Sequence, residues 1–373
     1  MSDTDQRYMA LALTLARRGL GTVWPNPAVG CVIVGKGRIL GRGWTQPGGR
    51  PHAERHALDQ AGKAARGATA YVTLEPCAHH GQTPPCAAAL VDAGIARVVT
   101  AQTDPDTRVS GRGHAILRAA GIAVTESVSE PEARALQQGF LTRTILGRPM
   151  LTLKLASSFD GRIATASGES RWITGPQARA RVHALRATHD AVMVGGGTAR
   201  ADDPLLTVRG LGPRRQPVRL IASRLLDLPR NRLAASVPDA PLWLAHGPDA
   251  PDEARVFWQD HGAELLEIPQ TTQRLNPAFL LQLLGKKGLT RIFCEGGGQF
   301  AASLLRADLV DDLIGFTAGV ILGADARPGI GALGLEALAA APRFRLAATE
   351  TLGGDVLHHW TRAPLFFGPN TQP

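Results

Sequence analysis

One imidazole, one carboxylate and two thiols stand near enough along the chain to assemble a hydrolytic zinc site: Pro51-His52-Ala53-Glu54, then Glu75-Pro76-Cys77, then Pro84-Pro85-Cys86. Zinc accepts neutral imidazole and thiolate, and three protein ligands leave a fourth tetrahedral position open to water. His52, Cys77 and Cys86 supply that number. Glu54 falls two residues after His52, on the first turn of a helix expected over Glu54–Ala61. From there it can reach water without ligating the metal, which makes it the expected general base. Pro84-Pro85 marks a helix start, because proline suits the first turn, and Ala87–Ala93 continues it. A Cys86 thiol at that start is expected to ionise readily, helped by the metal and the helix dipole.

An H-x-E followed by P-C-x-x-C is the signature of zinc nucleobase deaminases. Here eight residues rather than two separate Cys77 from Cys86, so Ala78–Pro85 must loop out for both sulfurs to meet one metal. The competing readings are a structural zinc and a pair of buried free cysteines. A closed structural site needs a fourth ligand, for which His79 and His80 are the nearest candidates; otherwise both line the loop or meet an anionic substrate.

With Asn26-Pro27, Val29-Gly30-Cys31-Val32-Ile33-Val34, His52-Ala53-Glu54 and Thr73-Leu74-Glu75-Pro76-Cys77 through Thr83-Pro84-Pro85-Cys86, the first third resembles the bifunctional riboflavin-biosynthesis deaminase-reductase family. The eight-residue loop is a feature of that family. The resemblance implies a cytidine-deaminase-like domain that takes Zn2+. It also favours Asn26 as a side-chain amide that pairs with a pyrimidine edge, over a plain turn-former between Pro25 and Pro27.

The elements that must position these groups are readable from periodicity. Asp5–Gly19 places Met9, Leu11, Ala12, Leu15 and Ala16 at helical spacing. Val29–Val34 and Arg38–Trp44 flank a Gly35-Lys36-Gly37 turn, a hairpin pattern. Strands at Ala70–Leu74, Arg97–Ala101 and Ile122–Thr125 alternate with helices at Cys86–Gly94 and Gly113–Ala120. That rhythm predicts a three-layer α/β sandwich. Arg112, in the loop after the strand ending near Ala101, is a candidate for a substrate phosphate. A helix over Ser129–Arg143 precedes the break Gly147-Arg148-Pro149, which divides the chain into expected domains 1–147 and 148–373.

The second half alternates again: strands Met150–Ala156, Ala191–Val194, Val218–Ala222, Pro241–Ala245 and Arg291–Cys294, helices Gly175–Ala187, Pro277–Gly285 and Gln299–Leu305, and a β-rich end. Gly296-Gly297-Gly298-Gln299-Phe300-Ala301 follows a strand and opens a helix, so its backbone N–H groups can approach a pyrophosphate. Simple turn glycines are the alternative, since the next acids, Asp308, Asp311 and Asp312, are expected in a helical region. Leu153–Arg162, Ser167–Ile173, the helix carrying Arg186, Thr198–Arg209 and Cys294–Gly297 resemble, in order, the reductase half of the same family.

That resemblance implies a dihydrofolate-reductase-like domain that uses NADPH. Carried over by position, Ala156, Trp172, Thr198, Asp202, Ser223, Gly297, Gly298 and Gln299 would touch the cofactor. Ser170, Arg186, Leu206, Arg209 and Glu295 would hold a phosphorylated sugar-pyrimidine. The chain departs from the family where an aspartate often precedes the serine of the third strand; here Ala222 stands before Ser223. Arg186 and Arg209 suit a phosphate through their planar donor forks. Lys154, on an apolar strand, is either half of a structural ion pair or a site residue, and with Asp202 a candidate to manage a proton. Arg224 is the candidate for the cofactor's 2′-phosphate.

Composition sets the outer limits. A chain of 373 residues with 44% hydrophobic and 20% charged residues is ordinary for two packed domains. No apolar run reaches roughly 18 residues, and the start is polar, so a cytoplasmic protein is expected. Four cysteines do not make a disulfide scaffold; Cys31 and Cys294, in apolar runs, are expected to be buried and reduced. The net charge of +9 raises nucleic acid as a partner, but the arginines are scattered and aromatic content is only 5%, so stacking platforms are scarce. A small phosphorylated substrate and no nucleic-acid or membrane partner are expected, with a homo-oligomeric assembly. The rival classes are a nucleic-acid base deaminase with an appended binding domain, and a degenerate scaffold without turnover; the intact His52, Glu54, Cys77 and Cys86 argue against the latter.

Overall fold

The computed structural model describes residues 2–78, 84–106 and 110–362. His79 and His80 lie outside the described residues. The chain forms two compact units, residues 1–149 with 288–290, and residues 150–287 with 291–373.

The first unit runs α1 (Asp3–Ala16), β1 (Gly30–Gly35), β2 (Arg38–Trp44), α2 (Ala53–Ala61), β3 (Thr69–Val72), α3 (Cys86–Asp92), β4 (Arg97–Thr100), α4 (Arg112–Ala119), β5 (Ala123–Thr125) and α5 (Glu130–Leu146). The sheet order is β2-β1-β3-β4-β5. The β1 strand pairs antiparallel with both its neighbours, and β3, β4 and β5 run parallel.

Successive strand residues face opposite sides, and both sides are apolar. Cys31, Ile33, Ala70, Val72 and Val98 pack under Ala53, Ala57, Leu58, Ala87, Leu90 and Leu117 of α2, α3 and α4. Val32, Val34, Tyr71 and Val99 pack under Met9, Ala12, Leu13 and Ala133 of α1 and α5. The expected three-layer sandwich is the one observed. Each fully buried valine, leucine, isoleucine or methionine among them contributes roughly 1.5–3 kcal/mol relative to exposure, and each alanine less.

Gly41 and Gly43 bring α2 against β2. A Cβ at Gly43 would lie 2.1 Å from the Ala53 carbonyl oxygen, and one at Gly41 equally close to that of Ala57. The helix answers with small residues, Ala53, Ala57 and Ala61, on the face it buries. On the other face, Asp5 accepts two bonds from Arg97, at 2.8 and 2.9 Å, and one from the Tyr71 hydroxyl at 3.0 Å. The Arg97 guanidinium holds the Asp5 carboxyl down at about 2, so this pair ties α1 to the sheet. Ser2 caps α1 by accepting from the Asp5 N–H, which starts the helix earlier than the apolar periodicity does.

The second unit runs β6 (Met150–Ser158), β7 (Arg162–Ala164), α6 (Pro176–Arg186), β8 (Ala191–Gly195), α7 (Gly196–Asp202), β9 (Val218–Ala222), α8 (Arg232–Ala235), β10 (Leu242–His246), α9 (Asp252–Asp260), β11 (Glu264–Glu267), β12 (Gln270–Thr271), β13 (Arg274–Leu275), α10 (Pro277–Lys286), β14 (Arg291–Cys294), α11 (Gly298–Arg306), β15 (Asp312–Ala318), β16 (Arg327–Pro328), β17 (Arg345–Leu352) and β18 (Asp355–Thr361). Its main sheet is ordered β11-β10-β9-β8-β14-β6-β15-β18-β17. The strands from β11 to β15 are mutually parallel, and β18 is antiparallel to both its neighbours. Parallel strands buried on both faces read as continuous apolar runs, which is why β8, β9 and β14 were legible.

Seven elements here lie outside the expectation: β7, α7, α8, α9, β11, β12 and β13. The α7 helix is hidden by its glycine start, and α9 and β11 by their charge. The three aspartates expected in a helical region are not helical. The α11 helix ends at Arg306, Asp308 sits in a turn with φ 57°, Asp311 accepts from the Leu151 N–H at 2.8 Å, and Asp312 opens β15. Among the described residues no helix is long and apolar enough to cross a membrane.

Candidate functional site

In the first unit, His52 is the residue before α2, and its side chain makes no capping bond, so the ring is free to turn toward the thiols. Its Nδ1 lies 3.3 Å from Cys86 Sγ and 3.8 Å from Cys77 Sγ. These three ligand atoms all lie within 4.8 Å of one another. Zn–N near 2.0 Å and Zn–S near 2.3 Å need about this spacing around one tetrahedral ion, so the donor set fits zinc.

Cys86 opens α3, and its backbone N–H donates to Cys77 Sγ at 3.3 Å, while the Ala87 N–H donates to the Cys77 carbonyl at 3.2 Å. Among the protein groups by themselves, Cys77 is the thiol eased toward ionisation, since both the Cys86 side chain and the Cys86 N–H donate to it. Bonds from Cys86 bring Cys77 down to about 4. The Cys86 thiol, donating toward Cys77 and buried, is pushed up.

Glu54, on the first turn of α2, is 4% exposed. Burial, with the charge of Cys77 nearby, pushes its carboxyl up to about 7. It stands beside the ligands without being one of the three.

Glu75, part of the cysteine motif in the sequence, has a side chain with a distinct task. It is buried, and its carboxylate accepts from the N–H groups of Asp104 (3.2 Å), Gly111 (3.0 Å), Gly113 (2.9 Å) and His114 (3.3 Å). The polar loop after β4 and the start of α4 are thereby held against the segment that carries Cys77. Contact there is tight: a Cβ at Gly113 would lie 1.9 Å from the Pro76 carbonyl. Arg112 is exposed at the start of α4. Asn26 is half-buried with its amide against Gly49, whose φ of 87° and missing Cβ admit it three residues before His52.

The second unit holds a cavity of about 1100 Å3 at the carboxyl ends of β6, β14, β8 and β9. Ligands of open parallel sheets bind at this end. Of the residues expected here, Ala156, Trp172, Thr198, Asp202, Gly297, Gly298 and Gln299 line it, as do Lys154, Ser170, Arg186, Leu206, Arg209 and Glu295. Ser223 does not. It is buried beneath Gly196, and its hydroxyl donates to Asp227 at 3.0 Å, so the serine is bonded within its own turn.

Two glycine-rich junctions line the cavity side by side, Gly195–Gly197 where β8 passes into α7 and Gly296–Gly298 where β14 leads into α11. They are joined by the Gly297 N–H donating to Thr198 Oγ1 at 3.0 Å. At Gly197 a Cβ would meet nothing within 4 Å, so backbone is bared to the cavity, as a pyrophosphate requires. The donor set fits a dinucleotide.

Arg186 donates to both Glu295 oxygens, at 2.5 and 3.0 Å, and to the Thr207 carbonyl at 2.8 Å. Its fork thus serves first to hold Glu295, whose carboxyl it keeps low against the pull of burial. Lys154 shares this corner. Burial lowers its amine's pKa and Arg186 adds to the effect, while Glu295 and Asp202 oppose it. The two partners of the Arg186–Glu295 pair have side chains only 11% exposed. Arg186→Ala should therefore cost the second unit about 3–5 kcal/mol by stranding Glu295. Urea unfolding followed through the second unit's tryptophans checks this, and adding Glu295→Gln should restore part of the loss.

Two family models match: the cytidine and deoxycytidylate deaminase zinc-binding region over residues 2–102, and the RibD C-terminal domain over 149–358. The riboflavin biosynthesis protein RibD of Escherichia coli K12 is 46% identical over 368 residues, covering 95% of this chain and 98% of its own. The chain belongs to the RibD family. That of Haemophilus influenzae is 41% identical over 95% of this chain and 96% of its own. The solved structure of Acinetobacter baumannii RibD, form 1, superposes with a TM-score of 0.86 at 41% identity, covering 96% of this chain and 99% of that one. A Thermotoga maritima structure described as a diaminohydroxyphosphoribosylaminopyrimidine deaminase and 5-amino-6-(5-phosphoribosylamino)uracil reductase gives 0.84 at 34% identity over 96% and 99%.

As a RibD family member the chain is a bifunctional enzyme of riboflavin biosynthesis, a zinc-dependent deaminase joined to an NADPH-dependent reductase. The fold class is the expected one, cytidine-deaminase-like followed by the RibD reductase fold.

Proposed function

We propose that residues 1–147 hydrolytically deaminate 2,5-diamino-6-(5-phosphoribosylamino)pyrimidin-4(3H)-one. Residues 148–373 would then reduce the ribosyl group of the product to ribityl, giving 5-amino-6-(5-phosphoribitylamino)uracil. The observation that carries this reading is the convergence of His52, Cys77 and Cys86 on one point, with Glu54 buried beside them.

When bound, zinc supplies Lewis-acid activation of water. Glu54 takes one proton from the attacking water and gives it to the ring nitrogen, then takes the second from the newly formed hydroxyl and gives it to the departing amine, so that the C–N bond breaks, a carbonyl forms and ammonia leaves. Asn26 orients the pyrimidine edge. Glu75 holds the segment before Cys77.

When bound, NADPH supplies the hydride for the second reaction. Arg186 fixes Glu295, which accepts from the sugar hydroxyls or ring amines, and Arg209, exposed at the rim, meets the phosphate. Ala156, Trp172, Thr198, Asp202 and Gly297–Gln299 hold the dinucleotide. Ser170 and Leu206 flank the substrate. Lys154 or Asp202 holds the proton that the opened sugar requires. The test is one assay tracking ammonia and NADPH on the diaminopyrimidine phosphate. Ammonia release that stops on chelation, followed by stoichiometric NADPH oxidation, supports the reading; ammonia release unaffected by zinc removal, or no NADPH consumption, sinks it.

A cytoplasmic homo-oligomer without nucleic-acid or membrane partners completes the proposal. The β17 edge strand supports the assembly: seven of its eight residues are exposed although it is an ordered member of the sheet, and an open edge of that kind invites pairing.

A further inference from the structure

We propose that Arg274 is the residue by which the second unit distinguishes a 2′-phosphorylated nicotinamide dinucleotide from its unphosphorylated counterpart. The inference rests on the reading of the large cavity as the NADPH site. Across the sheet the cavity passes from β6 through β14 and β8 to β9. Lys154 and Glu295 stand at the first end, and the two glycine turns lie in the middle. A dinucleotide with its pyrophosphate on those turns and its nicotinamide on the Ala156 side must carry its adenosine ribose toward β9 and beyond. Arg224, Gln273 and Arg274 line the cavity there.

An enzyme that takes a free 2′-hydroxyl offers it an acid near the end of the neighbouring strand, and one that takes a 2′-phosphate offers an arginine. Both acids at this end are already engaged. Asp227 pairs with Arg200 at 2.7 Å and accepts from Ser223, while Asp249 pairs with Arg224 and accepts from the Gln270 amide. Arg224, the residue the sequence suggested, is thus neutralised by Asp249. Arg274 is exposed, and no carboxylate pairs with it among the described residues.

The same Asp249 places Arg274. Through Gln270 it ties the start of β12 to the ends of β9 and β10, and β12 pairs with β13 in the register Thr271↔Arg274. The two turn residues between them, Thr272 and Gln273, have φ of 50° and 57°. A two-residue turn with both φ positive favours asparagine and glycine, and a β-branched threonine there is a strained choice of the sort that persists at ligand clamps. The outcome is a short hairpin, anchored at its base, with a free guanidinium on the cavity wall.

The experiment uses the full chain, titrating NADPH and NADH by reduced-nicotinamide fluorescence, with 2′,5′-ADP and 5′-AMP as competing probes. Arg274→Ala should weaken NADPH and 2′,5′-ADP by about 10- to 100-fold, the loss of a charge-assisted contact, and leave NADH and 5′-AMP within about twofold. Arg274→Lys should recover part of the difference. Equal weakening of both dinucleotides, no weakening of either, or a selective loss in Arg232→Ala in place of Arg274→Ala overturns the assignment. A wild-type chain that binds neither dinucleotide overturns the cofactor-site reading as well, whereas a variant that keeps the wild-type preference for NADPH overturns this inference alone.

Discussion

Glu54→Gln is expected to leave the metal in place and to slow ammonia release by about 10^2- to 10^4-fold, the usual contribution of a positioned proton carrier. The side chain is buried on the first turn of α2 beside the three ligand atoms. The amide fills the same space, so the neighbouring ligands are not disturbed. What it cannot do is accept a proton. Elemental analysis should return unchanged zinc, and the reductase should still oxidise NADPH on the deaminated substrate. Turnover at the wild-type rate would remove Glu54 from the proposed chemistry.

Cys86→Ser is expected to have the other large effect, through the metal itself. Serine is a poor substitute for thiolate toward zinc, and loss of one of three protein ligands should exceed the roughly 10- to 100-fold penalty typical of disturbing a ligand's supporting partner. Zinc content should fall together with ammonia release, while NADPH oxidation on the deaminated substrate persists. Full zinc occupancy in the variant would mean that the long insertion does not return Cys86 to the metal, and would favour a different ligand set.

The deaminase half was largely legible because its chemistry is written in short segments. His52 and Glu54 share one helix start, Cys86 opens another helix, and the flanking strands alternate faces over four to seven residues. What the sequence could not disclose is which partner a side chain finds far along the chain. Glu75 was visible only as a neighbour of Cys77, yet its four donors come from residues 104–114. Arg186 looked like a phosphate ligand, and its fork closes on Glu295, 109 positions away. Arg224 likewise meets Asp249 before any ligand.

In the reductase half, the glycine turn and the apolar parallel strands could be read, but the β12–β13 hairpin could not. Its turn is Thr-Gln, which carries none of the glycine or asparagine that marks such turns, and each strand is only two residues long. Its neighbours α9 and β11 are polar enough to pass for loop. Ser223 failed to reach the cavity for a local reason, since Asp227, four residues on, captures its hydroxyl.

The seating of α2 on Gly41 and Gly43 leaves no room for that helix to drift independently of the strand below it. His52 and Glu54 ride on the same end of this rigid beam, so the candidate metal ligand and the proposed proton carrier are geared together. Any change that tilts the beam moves both at once. Selection or engineering that seeks to retune one without the other must therefore work from outside it, through the cysteine segments and the loop that Glu75 fastens.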